Sequence, residues 1–437
     1  MSSRMRSGAH LLITLAALLV LLPPAPAAGE EADNVFKAGE HISKSYPGRW
    51  RSIDDIESDE ELTDEQRAEL ERLRSIGYLT GSVEAPNRMG VTVHEKDAVY
   101  AGLNFFSSGH RPGAALLDMD GDVLHEWSAG FLDVWPGMAG EYLNDNSEYW
   151  RSAYLFENGD VLVIFEGYGL AKLDKDSNVL WARLGGEHHE VQVADDGSIY
   201  SLSRVATTST KVRPGAPILE DFVVVLGPDG NEILSFSVLD GLLRSEYAYV
   251  LDEIQIYGDI FHTNAMVLLE DGMVDGVPEF RKGSILLSLR IPNLLAILDM
   301  EIGEITWATR GEWRSQHDPS VLPGGTVLLF DNKGYEEKSR LIEFDPRSGD
   351  VVWTYVGEVP ALFFSLTCGT VQRLPNGNTL ATESDRGRAI EVTQDGSIVW
   401  EYLNPERAGE DGRFIATIFE MTRLPADFPL DWLAVDE

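Results

Sequence analysis

Histidine occurs at similar positions in three copies of a repeated sequence unit. The three segments are His188-His189-Glu190-Val191, Phe261-His262-Thr263-Asn264 and Gln316-His317-Asp318-Pro319. A hairpin glycine follows eight residues after His189, Asn264 and His317, at Gly197, Gly272 and Gly325. If the repeats are arranged radially, equal positions in the repeat become equal positions in space. The imidazoles are therefore predicted to converge on one axis, although they lie far apart in the sequence.

Arg290 adds a fixed cation to this group of histidines. It ends an apolar strand predicted over 284–290, directly after the unit that carries His262. An arginine among inward-facing apolar residues needs an anionic partner, because a desolvated charge is costly. A blade aspartate could form that ion pair, or a bound oxyanion could, because the guanidinium fork matches sulfate and phosphate bidentately. Several imidazoles with one arginine, and no obvious carboxylate pair, favour transfer of an anionic group.

The histidines also have less specific interpretations. A single histidine on an inner strand is usually structural, although three or four at matching positions weaken that interpretation. Together with Asp318 and Glu190 they could bind a metal ion. No His-x-His or His-x-x-x-His pair occurs, and Arg290 beside a divalent ion is unfavourable, so no metal is predicted. A Gly-x-Ser-x-Gly nucleophile elbow, a P-loop and a dinucleotide fingerprint are absent from the sequence, and no cofactor is expected.

The elements that must position these residues are short strands joined by tight turns. One half of each repeat is an apolar strand, an Asp/Gly turn and a second strand that ends in an aromatic residue. Its six turn aspartates are Asp118, Asp174, Asp229, Asp299, Asp345 and Asp395. The other half is a second hairpin, best seen over 372–380, with the Asn-Gly turn that tight hairpins prefer.

Six such units of about four strands predict an all-β fold. A four-stranded blade cannot bury both faces alone, whereas blades stacked around an axis bury them and leave only short edges. The sequence therefore predicts a six-bladed β-propeller over residues 91–437, with a short helical N-terminal extension. The segment 91–106 is the poorest match to the repeat.

The N-terminus predicts secretion, with a signal peptide over residues 1–27. Arg4 and Arg6 precede an apolar run over 11–22, and Ala25-Pro26-Ala27 offers a small-residue cleavage site. The run is short for a membrane span, so cleavage is favoured over an uncleaved anchor. We expect a periplasmic or secreted protein with no membrane contact after signal removal.

Residues 28–90 are predicted to form an acidic, partly helical extension. Thr63-Asp64-Glu65-Gln66 is a capping box, and apolar residues follow it at helical spacing. The whole chain has a formal net charge of −37, so nucleic acid is not an expected partner and an anionic ligand would need local cations. Cys368 is the only cysteine, which excludes an intrachain disulfide and predicts a small buried residue.

The chain resembles the bacterial PAPS-independent arylsulfotransferase (aryl sulfate sulfotransferase) family over roughly residues 116–400. The resemblance lies in the order and spacing of several motifs. They are His188-His189-Glu190-Val191, His262-Thr263-Asn264, Ser288-Leu289-Arg290, Gln316-His317-Asp318, Leu328-Leu329-Phe330-Asp331-Asn332 and Leu374-Pro375-Asn376-Gly377-Asn378-Thr379-Leu380. The family's well-known enzymes carry an N-terminal β-domain used in dimerisation and a cysteine pair. Here the N-terminal stretch is short and Cys368 is alone, and Gly369 takes the position of His317 in the sixth unit. The oligomeric state therefore stays open.

The resemblance implies a six-bladed propeller that passes a sulfuryl group from one phenol to another. It implies that His317 becomes transiently sulfurylated. The groups expected to hold the sulfate and phenolic oxygens are His188 or His189, His262, Asn264 and Arg290. Histidine titrates near neutral pH, so a neutral imidazole can attack while a protonated neighbour donates to the leaving oxygen.

The leading hypothesis is thus a sulfotransferase whose partners are a small aryl sulfate donor and a phenolic acceptor. The first alternative is a sulfate-ester hydrolase on the same scaffold, with water as the acceptor. The second is a non-enzymatic secreted propeller that binds a ligand or a protein. His317 and Arg290 favour an enzyme, and only the acceptor dependence of turnover separates a transferase from a hydrolase.

Overall fold

The computed structural model describes residues 81–138, 145–209, 211–256, 258–273, 276–336, 338–357, 363–409 and 411–433. The predicted signal peptide and most of the predicted extension, including its helix, lie outside these residues. None of the helices in the described part is long and apolar enough to cross a membrane.

Short strands dominate the described chain. The first half contains β1 (Gly90–His94), β2 (Gly102–Ser108), β3 (Gly113–Leu117), β4 (Val123–Ser128), β5 (Ser152–Leu155), β6 (Val161–Phe165), β7 (Gly169–Leu173), β8 (Val179–Arg183), β9 (Glu187–Val193), β10 (Ile199–Thr208), β11 (Pro217–Leu226), β12 (Glu232–Ser237) and β13 (Gly258–Asp259). The second half contains β14 (Thr263–Leu268), β15 (Ile285–Leu289), β16 (Leu294–Asp299), β17 (Glu304–Thr309), β18 (His317–Val321), β19 (Val327–Tyr335), β20 (Lys338–Phe344), β21 (Val351–Tyr355), β22 (Thr370–Arg373), β23 (Thr379–Glu383), β24 (Arg388–Val392), β25 (Ile398–Leu403), β26 (Arg407–Ala408), β27 (Phe414–Ile415) and β28 (Ile418–Pro425). Two short α-helices, α1 (Phe131–Val134) and α2 (Val238–Leu243), and 3₁₀ turns at Asp145–Ser147, Ala248–Glu253, Ser384–Arg386 and Asp431–Leu433 complete the elements.

The strands form the six blades of a β-propeller, as predicted. Blade 1 has the order β28-β2-β3-β4, blade 2 β5 to β8, blade 3 β9 to β12, blade 4 β14 to β17, blade 5 β18 to β21, and blade 6 β22 to β25 with β1 added outside β25. The first-listed strand of each blade is the inner one, and β9, β14, β18, β22 and β28 follow one another around the axis.

Blade 1 explains the weak repeat over 91–106. Its inner strand β28 comes from the far end of the described chain and pairs antiparallel with β2, with Ser107 opposite Glu420. The strand β1 pairs instead with β25 of blade 6, with Gly90 opposite Leu403. The segment is therefore shared between two blades. The pairing of β28 with β2 closes the ring and leaves blade 1 without an open inner edge.

The aromatic residues that end the repeats connect neighbouring blades. Trp127 Nε1 donates to the Gly159 carbonyl of blade 2 at 2.9 Å, and Trp400 Nε1 of blade 6 donates to the Met119 carbonyl of blade 1 at 3.0 Å. Trp181 and Trp353 make corresponding bonds to the Pro228 and Gln394 carbonyls. The repeated tryptophan thus satisfies a turn carbonyl of the next blade while its ring fills the space between two sheets.

Replacing Trp400 tests this connection. Trp400 is fully buried, and Trp400→Phe keeps most of the ring but leaves the Met119 carbonyl without its partner. We expect the free energy of unfolding to fall by about 1–3 kcal/mol, because a fully buried indole becomes a smaller ring and the half-buried Met119 carbonyl loses its hydrogen bond. Thermal unfolding followed by circular dichroism measures the change. Trp181→Phe is the control, since Trp181 is only half-buried, and an equal loss in both variants would contradict the assignment.

Candidate functional site

Breaks in strand register shape the inner strands of blades 3, 4 and 5. The pairing of β9 with β10 shifts between Val191 and His188, and that of β18 with β19 shifts between His317 and Ser320. His189, His262 and Asp318 have φ values of 57°, 49° and 46°. Such conformations are uncommon for residues with a Cβ and occur at functional sites, where a bulge turns a side chain in a new direction. The bulges therefore mark the inner ends of these three blades as a candidate site.

His188, His189 and His262 form one group of imidazoles from blades 3 and 4. The ring centroids of His188 and His189 lie 5.0 Å apart, and those of His189 and His262 lie 5.1 Å apart. The Nδ1 atoms of His188 and His189 are 2.8 Å apart, so one donates to the other. Burial, reinforced by Arg204 for His188 and by Arg151 for His189, holds the pKa of both well below the usual range. Both rings are therefore neutral at neutral pH.

His317 of blade 5 joins this group as a neutral imidazole with a fixed tautomer. Burial first, and then the charge of Arg290, holds the pKa of His317 well below the usual range. Its Nδ1 donates to Asn332 Oδ1 at 2.7 Å and lies 3.0 Å from the Ser315 carbonyl. The proton must therefore be on Nδ1. Nε2 keeps its lone pair and makes no hydrogen bond within the described residues.

The amide of Asn332 can act only as an acceptor toward His317. Its Nδ2 donates to the carbonyls of Ser365 and Cys368, at 3.0 and 2.8 Å, which fixes which end of the amide faces the imidazole. Asn332 is fully buried on β19. It belongs to the motif over 328–332 that carries the family resemblance, but it was not predicted as a site residue. A neutral acceptor orients the ring without stabilising a positive charge on it.

His262 has a different partner, the carboxylate of Asp259. Its Nδ1 lies 2.6 Å from Asp259 Oδ2, and its backbone N–H donates to Oδ1 at 2.9 Å. Nε2 of His262 makes no hydrogen bond within the described residues. Asp259 was not predicted as a site residue, because it lies outside the repeat on the two-residue strand β13.

Arg290 and Asn264 lie beside these histidines. The backbone N–H of Arg290 donates to the His262 carbonyl at 3.3 Å, and its half-buried guanidinium makes no ion pair among the residues that the structure describes. The expected alternative, an ion pair with a blade aspartate, is therefore not formed there. Asn264 Nδ2 donates to the Gln316 carbonyl at 2.8 Å, while its buried Oδ1 has no partner in the same part of the chain. A cation and a polar oxygen thus remain for a ligand.

Four charged residues that the sequence did not assign also gather around the axis. Glu190, Asp318 and Glu420 come from β9, β18 and β28, and Arg151 immediately precedes β5. Burial raises the pKa of Asp318 to about 6 and that of Glu420 to about 7, although Arg151 opposes both shifts. Burial and the charges of Asp318 and Glu420 raise the pKa of Glu190 well above its usual value. Glu190 and Asp318 directly follow His189 and His317 and share their repeat position, whereas no local sequence pattern points to Arg151 and Glu420.

His188 and His189 also form a second buried group, with the carboxylate of Glu166. Glu166, His188 and His189 place ligand atoms within 4.8 Å of one another, the spacing that a metal ion requires. The Glu166 carboxylate also contacts Arg204 Nη2 at 3.1 Å and accepts the backbone N–H of His189 at 3.0 Å. The Glu166 carboxylate therefore holds the backbone of β9, and the Arg204 guanidinium would lie next to any cation bound here. The donor set therefore fits a divalent metal poorly.

The inner strand of blade 6 contributes no histidine to this group, and its backbone explains why. Gly369 has a φ of 105°, and a Cβ at this position would lie 2.8 Å from the ring of Phe330. Glycine is therefore required there for packing. The neighbouring Cys368 is buried, as predicted, and burial raises the pKa of its thiol to about 11.

The described fold and site define a β-propeller that gathers buried imidazoles and guanidinium groups near its axis. The sequence matches the arylsulfotransferase (ASST) family over residues 152–405, more than half of the chain, which spans blades 2 to 6. The chain belongs to the arylsulfotransferase family. This assigns it to the transferase enzymes and implies small-molecule substrates.

Three solved structures illustrate a distant similarity to this chain. A protein of unknown function from Bacteroides caccae is 12% identical, with 74% of this chain and 98% of that chain covered at a TM-score of 0.46. The WD40 β-propeller domain of Doa1 is 12% identical, with 80% and 96% covered at a TM-score of 0.41. A streptogramin B lyase is 12% identical, with 79% and 96% covered at a TM-score of 0.40. No curated protein matches the sequence significantly.

Asp318→Asn tests the charge state of the residues near the axis. The folded-state pKa of Asp318, about 6, lies above the unfolded value of 3.8. Below pH 4 the carboxyl is protonated in both states and does not lower the free energy of unfolding, whereas its ionisation destabilises the fold as pH rises through 6. The cost of ionisation corresponds to roughly 3 kcal/mol. Asparagine keeps an oxygen for the Val371 N–H, which Asp318 accepts at 2.6 Å. We expect the variant to gain stability at pH 8 relative to wild type, and less or nothing at pH 4.

Thermal unfolding at the two pH values measures this difference. Asp395→Asn is the control, because hydrogen bonds from Thr393 and Ser397 lower the pKa of this exposed carboxyl. A lowered pKa has the opposite sign, so this variant should lose more stability at pH 8 than at pH 4. Equal destabilisation of Asp318→Asn at both pH values would contradict the predicted charge state.

Proposed function

We propose that the protein is a PAPS-independent aryl sulfotransferase that moves a sulfuryl group from an aryl sulfate to a phenol through a sulfohistidine at His317. One observation carries the proposal. His317 is a buried neutral imidazole whose proton is held on Nδ1 by Asn332, and its Nε2 has no hydrogen-bond partner in the described part of the chain and lies near Arg290. An imidazole in this state is a nucleophile that needs no further activation.

In the first half of the reaction, His317 Nε2 attacks the sulfur atom as the S–O bond to the donor phenol breaks. Sulfuryl transfer, like phosphoryl transfer, passes through a loose in-line transition state, so the protein mainly positions the group and neutralises charge. Arg290 neutralises the sulfuryl oxygens, and His262 protonates the leaving phenolate. Asn264 Oδ1 accepts a hydrogen bond from the released phenol once His262 has protonated it. His188 and His189 line the same site as neutral polar groups.

In the second half, the acceptor phenol loses its proton to His262 and takes the sulfuryl group from His317. A hydrolase would use water in place of the phenol, and the dependence of turnover on added phenol separates these two functions. We also propose that the protein acts in the periplasm or outside the cell after removal of residues 1–27. The support is the arrangement of Arg4, Arg6 and the apolar run over 11–22.

The nucleophile is tested with a chromogenic aryl sulfate, with and without a phenol. With the donor alone, mass spectrometry should find one sulfuryl group on a peptide that contains His317. His317→Asn should retain donor binding and lose transfer by roughly 10³-fold or more, because the basic nitrogen is gone. His94→Asn, in the outer strand of blade 6, is the control and should keep full activity. An adduct on His262, or near-normal transfer by His317→Asn, would contradict the assignment.

The role of Asn332 is tested with Asn332→Ala. His317 then keeps only the Ser315 carbonyl as an acceptor, and its ring loses orientation. We expect kcat to fall by about 10- to 100-fold, as for other residues that orient a functional histidine. Asn404→Ala is a matched control, since Asn404 is also fully buried and its Nδ2 also makes two hydrogen bonds. Both variants should melt earlier, but a similar loss of kcat in both would show that Asn332 acts through stability alone.

A further inference from the structure

We propose that Asp259 is a positioning residue that makes His262 the proton donor and acceptor of the transfer reaction. The inference rests on the proposed function and assigns a role to a carboxylate outside the repeat. Asp259 touches no reacting atom, so it acts through the imidazole of His262.

The geometry fixes one tautomer of His262. Asp259 uses both carboxylate oxygens, one for the backbone N–H and one for Nδ1 of the same residue. The strand β13 that carries Asp259 pairs in parallel with β11, where Leu219 is opposite Asp259, so blade 3 holds a histidine of blade 4. Nδ1 therefore keeps its proton toward the carboxylate, and Nε2 is left for the substrate.

The four histidines of the group differ in their partners. His262 lies within hydrogen-bond distance of a carboxylate, at 2.6 Å, whereas His317 is bonded to an amide. His188 Nε2 lies 3.8 Å from Asp221 Oδ1, and His189 Nδ1 lies 3.6 Å from Glu166 Oε1. A carboxylate stabilises an imidazolium and a neutral amide does not. The carboxylate partner therefore suits His262 to carry a proton, and the amide partner suits His317 to act as the nucleophile.

The charge on Asp259 agrees with the role of His262 as the proton carrier. Burial alone would raise the pKa of Asp259, but the charge and hydrogen bond of His262, with Arg204, lower it to about 2. The nearby Asp221 shows the opposite shift, because burial and the charge of Asp259 raise its pKa to about 7. Asp259 is therefore ionised when His262 carries a positive charge.

In both half-reactions, His262 supplies or takes up the proton that the reaction requires. In the first, the S–O bond to the donor breaks, the bond from sulfur to His317 Nε2 forms, and the Nε2 proton of the His262 imidazolium moves to the phenolate. In the second, the acceptor phenol returns a proton to His262 Nε2 as its oxygen takes the sulfuryl group. No further reactant is required.

The experiment compares Asp259→Asn with wild type on two donors, 4-nitrophenyl sulfate and phenyl sulfate. Nitrophenolate leaves without help, whereas phenolate needs a proton. In kcat/KM for the donor, which reports only the first half-reaction, we expect the variant to lose roughly 10²-fold or more with phenyl sulfate and less than about 10-fold with 4-nitrophenyl sulfate, the scale of general acid catalysis. A purely structural role for Asp259 would reduce both rates by the same factor, and that result would overturn the inference.

Asp221→Asn is the matched control. Asp221 is a buried carboxylate of the same cluster, and it accepts bonds from the backbone N–H and hydroxyl of Thr263 rather than from His262. Its loss should lower the rates with both donors equally. If wild type transfers from neither donor, the proposed function itself fails; if wild type uses both and Asp259→Asn shows no selectivity, only the role of Asp259 fails.

A second variant and a second measurement cover the case in which Asp259→Asn does not fold. His262→Gln should show the same selective loss with phenyl sulfate, and an equal loss with both donors would overturn the proposal. In wild type, proton NMR should show a strongly deshielded Nδ1–H from the bond between His262 and Asp259. This signal should vanish in His262→Gln, and its absence from wild type would also overturn the proposal.

Discussion

The pairing of β28 with β2 is the constraint on which the site depends. The histidines, Asn264 and Arg290 come from blades 3 to 5, and the charged residues near the axis come from blades 1, 2, 3 and 5. Each of these blades forms a hydrogen-bonded sheet of its own. Their relative positions are set by the packing of each blade on the next, which is fixed only when the ring is closed. The Trp400 bond to Met119 acts at the same junction, between blades 6 and 1. A polar site near the axis can therefore be held at short distances even though each strand contributes only one or two residues.

Within that ring, the chemistry of each histidine depends on what lies behind it. His317 has an amide, Asn332, whose own donors are used by two carbonyls. His262 has a carboxylate, Asp259, that is anchored on a neighbouring blade. Burial lowers the pKa of His188, His189 and His317, whereas His262 lies within hydrogen-bond distance of a carboxylate, a group that stabilises an imidazolium. Similar side chains at similar repeat positions can thus carry different protonation states, which a transfer reaction with a nucleophile and a proton carrier requires.

The sequence predicts the repeated parts of the structure and misses those that depend on tertiary contact. Six turn aspartates and the recurring tryptophan predict six blades because hairpins are local, and the fold confirms this. The inner strand of blade 1 could not be predicted, because Glu420 and Ser107 are opposed only after the whole ring forms. The repeat positions of the histidines indicated convergence, and the structure brings His188, His189, His262 and His317 together. Asp259 and Arg151 lie just outside regular repeat strands, so no periodic pattern points to them.

The charges near the axis matter for a protein with a formal net charge of −37. An anionic ester is repelled by such a surface at long range, so its binding depends on local cations and on how few nearby carboxylates are ionised. Arg290 and Arg151 supply positive charge close to His317. Asp318 and Glu420 have pKa values of about 6 and 7, so they are protonated more readily than surface carboxyls of the same kind. Burial of these acids thus weakens their repulsion of an anion at the same place where the arginines attract it, and the site can be locally cationic inside an acidic protein.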